Sequence, residues 1–249
     1  MSNVAFIVGS GFSRLGRELR ELETVRTPYG DTSSPVMIAE LGRTEVYVIA
    51  RHGIGHRWPP HKVNYRANVW ALRDRGVRYC FGQNVVGGIA RDLVPGVLAV
   101  PDDLIDYTWG RESSFDSGEE GVTHIEFTSP LSGIVREALE SACAAERLPI
   151  HRGTCAVTQG PRLETAAEID RLERDGCAMV GMTALPEAAL AREAGLEYAI
   201  LAGVVNHAAG RAPAGSSVHV EMLAVLDSVM QTSMRVLASA AAGLSKLDL

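Results

Sequence analysis

Short runs of apolar and β-branched residues alternate along the chain with longer segments whose apolar positions recur at helical spacing. Seven such runs lie at 4–8, 46–50, 79–82, 97–100, 155–158, 178–182 and 198–205. Their length and composition are typical of buried strands. Helical spacing marks 65–76, 131–147, a charged segment from Pro161 to Gly176, and 218–244. Strands that alternate with helices predict an α/β fold with a twisted, mostly parallel central sheet flanked by helices.

Composition narrows the class of protein. The chain has 249 residues, 46% of them hydrophobic, and no repeat or linker divides it, so we expect one domain over 1–249. A net charge of −6 excludes a general nucleic-acid-binding surface. Four widely spaced cysteines and an N-terminal segment without a signal-peptide pattern lead us to expect a cytoplasmic protein. Segment 110–121, rich in acids and serines, is the best candidate for a mobile surface loop.

The densest group of cations follows the strand predicted at 46–50. It begins with Arg51 and His52 and includes His56, and in an acidic chain it indicates a local anion pocket. Gly53 and Gly55 disfavour the helix that would bring His52 and His56 together as metal ligands. A solvated basic loop is the alternative interpretation.

Polar groups also follow other predicted strands. Gly9 and Ser10 follow the first strand, segment 83–88 follows the third, Thr183 follows 178–182, and Asn206 follows the last. Ligands of open α/β sheets bind at the carboxyl ends of the strands. The sequence therefore predicts one ligand site at this edge of the sheet.

Several motifs in order resemble the trimeric purine nucleoside phosphorylase and methylthioadenosine phosphorylase family. They are Thr27-Pro28-Tyr29-Gly30, Arg51-His52-Gly53, Val63-Asn64-Tyr65-Arg66, Gly160-Pro161-Arg162-Leu163-Glu164-Thr165, Gly181-Met182-Thr183 and Pro186-Glu187. The resemblance covers 4–227 and is greatest to the S-methyl-5′-thioinosine phosphorylase branch. It implies phosphate-dependent, reversible cleavage of an N-glycosidic bond, with phosphate as co-substrate and with neither cofactor nor metal. By resemblance, the phosphate site comprises Ser10, Arg51, His52, the Val85 amide and Thr183.

The resemblance also assigns the purine site. Glu164 matches the acid that accepts N1–H of a 6-oxopurine, and Asn206 replaces an Asp that adenine-cleaving relatives carry. The second Asp of those relatives is Ala208 here, and the aromatic that stacks on the base is Leu163. Met182 completes this set of substrate contacts. Together these residues predict a 6-oxopurine substrate, hypoxanthine above all, with Asn206 and Glu164 catalytic alongside Arg51 and His52.

Two histidines concern the 5′ end of the nucleoside. His219 matches a residue that meets the 5′-hydroxyl in ordinary purine nucleoside phosphorylases, which favours a hydroxyl over a thioether. His124 resembles a residue that reaches a neighbouring 5′ pocket, so the resemblance implies a homotrimer. Other hypotheses remain open: inosine or guanosine phosphorolysis, methylthioadenosine phosphorolysis, a metal hydrolase using His52, His56 and His61, and a nucleoside-binding protein without turnover.

Overall fold

A computed structural model describes residues 2–10, 19–21, 25–118, 121–213 and 215–247. Within these ranges the strands are β1 (Val4–Val8), β2 (Leu19–Glu21), β3 (Arg26–Thr27), β4 (Gly30–Asp31), β5 (Met37–Leu41), β6 (Thr44–Ala50), β7 (Tyr79–Gly88), β8 (Leu98–Ala99), β9 (Asp103–Tyr107), β10 (Thr154–Thr158), β11 (Cys177–Gly181) and β12 (Glu197–His207). The α-helices are α1 (Tyr65–Asp74), α2 (Gly133–Ala145), α3 (Ala166–Arg174), α4 (Ala184–Glu193) and α5 (Val218–Leu244), and a short 3-10 helix spans Pro60–Lys62.

Ten strands form one central sheet. Its main path runs β2-β5-β6-β1-β7-β11-β10-β9, with β12 paired to β7 and β8 paired to β12. The pairs β1 with β6, β1 with β7, β7 with β12, β10 with β11 and β9 with β10 are parallel. Helices pack on this sheet and on one another, α5 and α2 against β12. The predicted α/β class and mostly parallel sheet are confirmed.

The element predictions were less accurate at strand ends. β7 does not end at Gly82 but continues to Gly88, because the polar side chains of Gln83 and Asn84 are buried and hydrogen-bonded inside the protein. The strand expected at 97–100 is reduced to Leu98–Ala99, and β9 was not predicted.

The candidate surface loop at 110–121 contains neither helix nor strand over 110–118 and 121, while Glu119 and Glu120 lie outside the described residues. It is attached to the body of the protein. The Tyr29 hydroxyl donates to the Phe115 carbonyl, and the Phe115 amide donates to Glu193.

The sheet has a gap beside its central strand. β1 pairs with one edge of β7 as far as Gln83, and β11 pairs with the same edge only at Gly87 and Gly88. Between these points no described strand pairs with residues 84–86 on that edge. A gap between two diverging strands is where α/β sheets bind ligands, and the main cavity of the protein lies there.

The long helix α5 covers one face near this gap. Its buried positions include Val229, Ser233 and Leu237, and the Val229 side chain packs over Gly203 of β12, where a Cβ would lie 2.3 Å from it. Among the described helices, α5 included, none combines the length and apolarity needed to cross a membrane.

Candidate active site

One cavity of about 420 Å³ gathers most of the residues predicted from sequence. Nine of them line it: Ser10, Arg51, His52, Val85, Leu163, Glu164, Met182, Thr183 and Asn206. They come from six separate stretches of the chain and meet because their strands end at the same edge of the sheet. His124 and His219 are exposed and do not line the cavity of their own chain.

Arg51 forms the floor of the cavity and is fully buried. Its Nε and Nη2 donate to the two carboxylate oxygens of Glu187 at 2.6 and 2.7 Å, and Nη1 donates to the Gln83 carbonyl at 2.9 Å. Burial, the largest single effect, would lower the pKa of Arg51, but the charge and the hydrogen bonds of Glu187, with smaller contributions from Tyr198 and Tyr65, together raise that pKa. The Tyr198 hydroxyl donates to the same carboxylate.

The sequence indicated Arg51 as one cation of a local anion pocket, and the structure adds a buried partner for its charge. Its charge is balanced by the buried Glu187, so the pair adds no net charge to the cavity. Four of its five N–H groups are occupied, which leaves one on Nη1 for a ligand. Nη1 lies close to Gly9, where a Cβ would stand 3.0 Å from it, so a larger residue at this position would crowd the guanidinium.

A chain of hydrogen bonds leads from Arg51 to Thr183. Nη2 of Arg51 donates to Asn84 Oδ1 at 3.0 Å, and Asn84 Nδ2 donates to the Thr183 hydroxyl oxygen at 3.2 Å. Because the Thr183 oxygen accepts from Asn84, its own proton is directed elsewhere. Thr183, which lines the cavity, therefore has its hydroxyl proton available to donate.

The gap in the sheet supplies a backbone donor. The Gln83 carbonyl accepts from the Gly9 amide across the edge that β7 shares with β1. Peptide groups alternate between the two edges of a strand, so the Val85 amide points to the same edge two residues later. No described strand pairs with β7 there. The Val85 amide is thus free to donate into the cavity beside Ser10.

His52 is held in one tautomer. Its Nδ1 lies 2.8 Å from the Trp58 carbonyl, which only an N–H at Nδ1 satisfies. Burial and then the adjacent Arg51 charge lower the pKa of His52 to about 4. The ring is therefore neutral near pH 7, and Nε2 is an acceptor rather than the donor predicted from sequence. His56 stacks on it, with ring centroids 4.4 Å apart.

Glu164 lies at the opposite side of the cavity, after β10. The Thr158 hydroxyl donates to its Oε1 at 2.5 Å. One carboxylate oxygen is thereby fixed, and Oε2 remains for a ligand. Leu163 beside it is 54% exposed, so this wall gives loose apolar contact and no stacking surface.

A β-bulge positions Asn206. Gly203 and Val204 pair with Val85 and Val86 of β7, but Asn206 then pairs with Gly87, which leaves Val205 as an extra residue. Such a bulge changes the direction of the side chains that follow it. Both Val205 and Asn206 consequently line the cavity.

The orientation of the Asn206 amide is also fixed. Its Nδ2 donates to the His207 carbonyl at 2.7 Å, and the flipped amide would direct two oxygens at each other. Oδ1 and the second N–H remain available. Gly87 makes room for this amide, since a Cβ there would lie 3.0 Å from Nδ2.

The first turn of α5 closes the remaining end of the cavity. Val218 and Met222, four residues apart on one face of the helix, line it. His219, the residue between them that the sequence had associated with a 5′-hydroxyl, is exposed and does not line the cavity of its own chain. Glu221 ties this turn to β12 by accepting from the His207 amide at 2.9 Å.

The described residues contain no group of three or more His, Cys, Asp or Glu side chains placed to hold a metal ion. Sequence reasoning did not assign roles to Asn84, Thr158, Glu187 and Tyr198. Asn84 and Glu187 stood within motifs that had been noted, but their partners Arg51 and Thr183 are distant in sequence.

Comparisons with known proteins agree with this geometry. Residues 3–242 match the Phosphorylase superfamily. The chain is 51% identical over 217 residues, 86% of this chain and 88% of the relative, to a probable S-methyl-5′-thioinosine phosphorylase of Pseudomonas syringae pv. tomato. It is 43% identical over 217 residues, 84% of this chain and 81% of the relative, to the 6-oxopurine nucleoside phosphorylase of Pyrococcus furiosus.

A solved structure has the same fold. The methylthioadenosine phosphorylase of Schistosoma mansoni in complex with adenine superposes with a TM-score of 0.89 at 32% identity, covering 98% of this chain and 92% of that one. The length of the family match and the identity to these relatives leave one conclusion: the chain belongs to the Phosphorylase superfamily.

Proposed function

We propose that the protein is a nucleoside phosphorylase that cleaves the N-glycosidic bond of 6-oxopurine nucleosides reversibly with phosphate. The preferred substrate is S-methyl-5′-thioinosine, and the products are hypoxanthine and 5-methylthioribose 1-phosphate. The observation that carries this proposal is the single cavity in which fixed donors at the sheet gap face Glu164 and Asn206. The names of the relatives support the same reaction.

Phosphate would lie at the sheet gap. Its oxygens accept from the Thr183 hydroxyl, the Val85 amide, Ser10 and the remaining Nη1 proton of Arg51. Neutral His52 accepts the proton of a P–O–H group through Nε2. Donors that are already oriented need no reorganisation when charge moves from phosphate toward the sugar.

The purine would lie between Glu164 and Asn206. As a phosphate oxygen bonds to C1′, the C1′–N9 bond breaks and its electron pair passes to the purine. The free Asn206 N–H donates to O6, and Oδ1 accepts from N7–H. The proton on N7 balances the one that the P–O–H group loses through His52 and solvent when phosphate bonds to C1′. Glu164 Oε2 accepts N1–H, which only a 6-oxopurine offers. Adenine has an acceptor at N1 and an amino group at C6, so both contacts oppose it.

The 5′ substituent would contact Val218 and Met222. These side chains are apolar, and neither offers a hydrogen bond to a 5′-hydroxyl. A methylthio group gains from burial against them, at about 0.8 kcal/mol per CH₂-sized group. This favours the methylthio nucleoside over inosine or guanosine.

A substrate panel tests the proposal. Methylthioinosine, methylthioadenosine, inosine, guanosine and adenosine are each assayed with and without phosphate by release of free base. Methylthioinosine should have the highest kcat/KM, and omission of phosphate should abolish cleavage. Equal kcat/KM for methylthioinosine and methylthioadenosine contradicts the roles of Glu164 and Asn206, and cleavage without phosphate contradicts phosphorolysis.

We propose further that the active unit is a homotrimer in which His124 reaches the cavity of a neighbouring chain. His124 is exposed on its own chain, and Trp109 and Val122 expose 67% and 75% of their surface. Coexpression of His124→Ala chains with Asn206→Ala chains tests this idea. If each site is shared between two chains, mixed trimers regain activity, because some cavities then contain an intact Asn206 from one chain and an intact His124 from its neighbour. If each cavity is complete within one chain, mixing the two variants restores no activity.

A cytoplasmic location and a role in purine salvage belong to the same proposal. All four cysteines are unpaired and buried, as expected in a reducing compartment. The absence of any cofactor other than phosphate likewise remains a prediction. Full activity of the purified protein after dialysis against a chelator would support it.

A further inference from the structure

Arg111, on the loop that follows β9, joins the two walls of the cavity without lining it. Nη1 donates to the Met182 and Leu185 carbonyls at 2.8 and 2.7 Å, and Nη2 donates to the Gln159 carbonyl at 2.8 Å. A longer bond of 3.3 Å reaches the Thr158 carbonyl. One guanidinium thus binds the backbone at the ends of β10 and β11 and the start of α4.

Two of these carbonyls belong to residues that line the cavity or bind a residue that lines it, namely Met182 and Thr158. Met182 lies between Gly181 and Thr183, the proposed phosphate donor. Thr158 binds Glu164 through its side chain while its carbonyl accepts from Arg111. The two walls also touch at Gly160, where a Cβ would lie 2.5 Å from Met182 Sδ. The distance between the two walls is therefore fixed by the hydrogen bonds of Arg111 and by this contact between Gly160 and Met182.

The partners of Arg111 are unusual for a half-buried cation. Among the described residues no carboxylate lies within salt-bridge distance, and its acceptors are backbone carbonyls, the Gln159 amide oxygen and the Tyr65 hydroxyl. A planar guanidinium spans acceptors on two sides in a fixed geometry, which the single ammonium of lysine does not. Arg111 therefore contributes by holding the carbonyl groups of the two walls in a fixed arrangement, and not by neutralising a nearby carboxylate.

The loop is itself held in place. The Trp109 amide donates to Gln159 Oε1, and Gln159 Nε2 donates back to the Trp109 carbonyl. Further along, Glu193 of α4 accepts from the Ser114 hydroxyl and the Phe115 amide. Arg111 thus projects from a segment anchored on both sides of it.

We propose that Arg111 is a positioning residue that fixes the purine wall, with Glu164, at the correct distance from the phosphate wall, with Thr183. Its kinetic consequences rest on the proposed function, whereas its effect on the backbone does not. Displacing a catalytic group by about 1 Å can cost roughly 10²-fold in rate. Loss of Arg111 should therefore change substrate parameters more than it changes folding.

The test compares Arg111→Met and Arg111→Lys with Arg192→Met. Arg192 also donates to a backbone carbonyl, that of Ser129 at 2.7 Å, but lies outside the cavity. Hydrogen exchange of the amides in 158–164 and 181–185 is measured first. KM for methylthioinosine and for phosphate, and the ratio of kcat/KM for methylthioinosine over methylthioadenosine, are measured next.

Arg111→Met should speed exchange in both segments, raise both KM values about tenfold or more, and lower the base ratio. Arg111→Lys should restore little of this, and Arg192→Met should match the wild type. If Arg111→Met does not fold, Arg111→Gln takes its place.

Unchanged exchange in both segments of a folded variant overturns the proposal, as do unchanged KM values and base ratio in an active enzyme. A wild-type protein without phosphorolysis contradicts the proposed function alone, because the exchange measurement still decides the role of Arg111.

Discussion

The two halves of the cavity, which we propose bind phosphate and purine, are built differently. In the phosphate half, Arg51 and Glu187 are fully buried and neutralise each other. In the purine half, Leu163 is 54% exposed, and Glu164 and Asn206 are half-buried, each with one fixed hydrogen bond. A buried network tolerates few changes, whereas an open wall accepts them at small cost. Under the proposed function, the first half would fix the reaction and the second half would select the nucleoside.

The comparison predicts that the largest effect on stability comes from Glu187. Glu187→Ala leaves the Arg51 charge buried without its partner, which should lower the free energy of unfolding by about 3–5 kcal/mol. Urea denaturation measures this change. The control is Glu45→Ala, which removes an exposed pair with Arg20 and should cost about 0–1 kcal/mol. Similar losses in the free energy of unfolding in the two variants would contradict the idea that the buried network around Arg51 tolerates few changes.

The next largest effect concerns catalysis through Asn206. Asn206→Ala removes the donor to O6 and should lower kcat/KM for methylthioinosine by about 10²–10³-fold. Asn206→Asp should lose less with methylthioadenosine than with methylthioinosine, because it supplies an acceptor for the 6-amino group. Steady-state assays with both nucleosides measure the two ratios. Parallel losses with both substrates would contradict base selection by this side chain.

His52 predicts a dependence of stability on pH. The pKa of His52 is about 4 in the folded protein and about 6.5 in an unfolded chain. Between these values the unfolded state binds the additional proton, so stability should fall as pH drops from about 6.5 to 4, by roughly 3 kcal/mol. Urea denaturation at several pH values measures this slope. His52→Asn should flatten it, and the exposed His219→Asn should not; the reverse result would refute the assignment.

The smallest effect should come from the 5′ end. Val218→Ser replaces an apolar contact and should reduce the preference for methylthioinosine over inosine by about tenfold. His219→Ala should leave that preference unchanged, because His219 is exposed and does not line the cavity of its own chain. The ratio of kcat/KM for methylthioinosine to kcat/KM for inosine, measured in each variant, tests both expectations. A changed preference in His219→Ala, with none in Val218→Ser, would instead support a contact between His219 and the 5′ group.

The fold and most cavity residues were predictable because they depend on local patterns. Apolar runs marked the buried strands, and small or polar residues marked their ends. The extension of β7 was not predictable, because Gln83 and Asn84 look like the end of a strand unless their distant partners are known. The same holds for the charge of Arg51, which Glu187 balances from 136 residues away.

The extra residue in β12 has a consequence for how the chain tolerates length changes. Side chains of a strand alternate with period two, so an inserted residue inverts all that follow it unless a bulge absorbs the insertion. The bulge at Val205 does absorb it, because Asn206 lies opposite Gly87, as the next residue of a regular strand would. Deleting Val205 would therefore keep Asn206 opposite Gly87, while it straightened the strand and removed one residue from the lining of the cavity. At this point of the chain, a change of length alters the shape of the cavity and not the identity of the residue that pairs with Gly87.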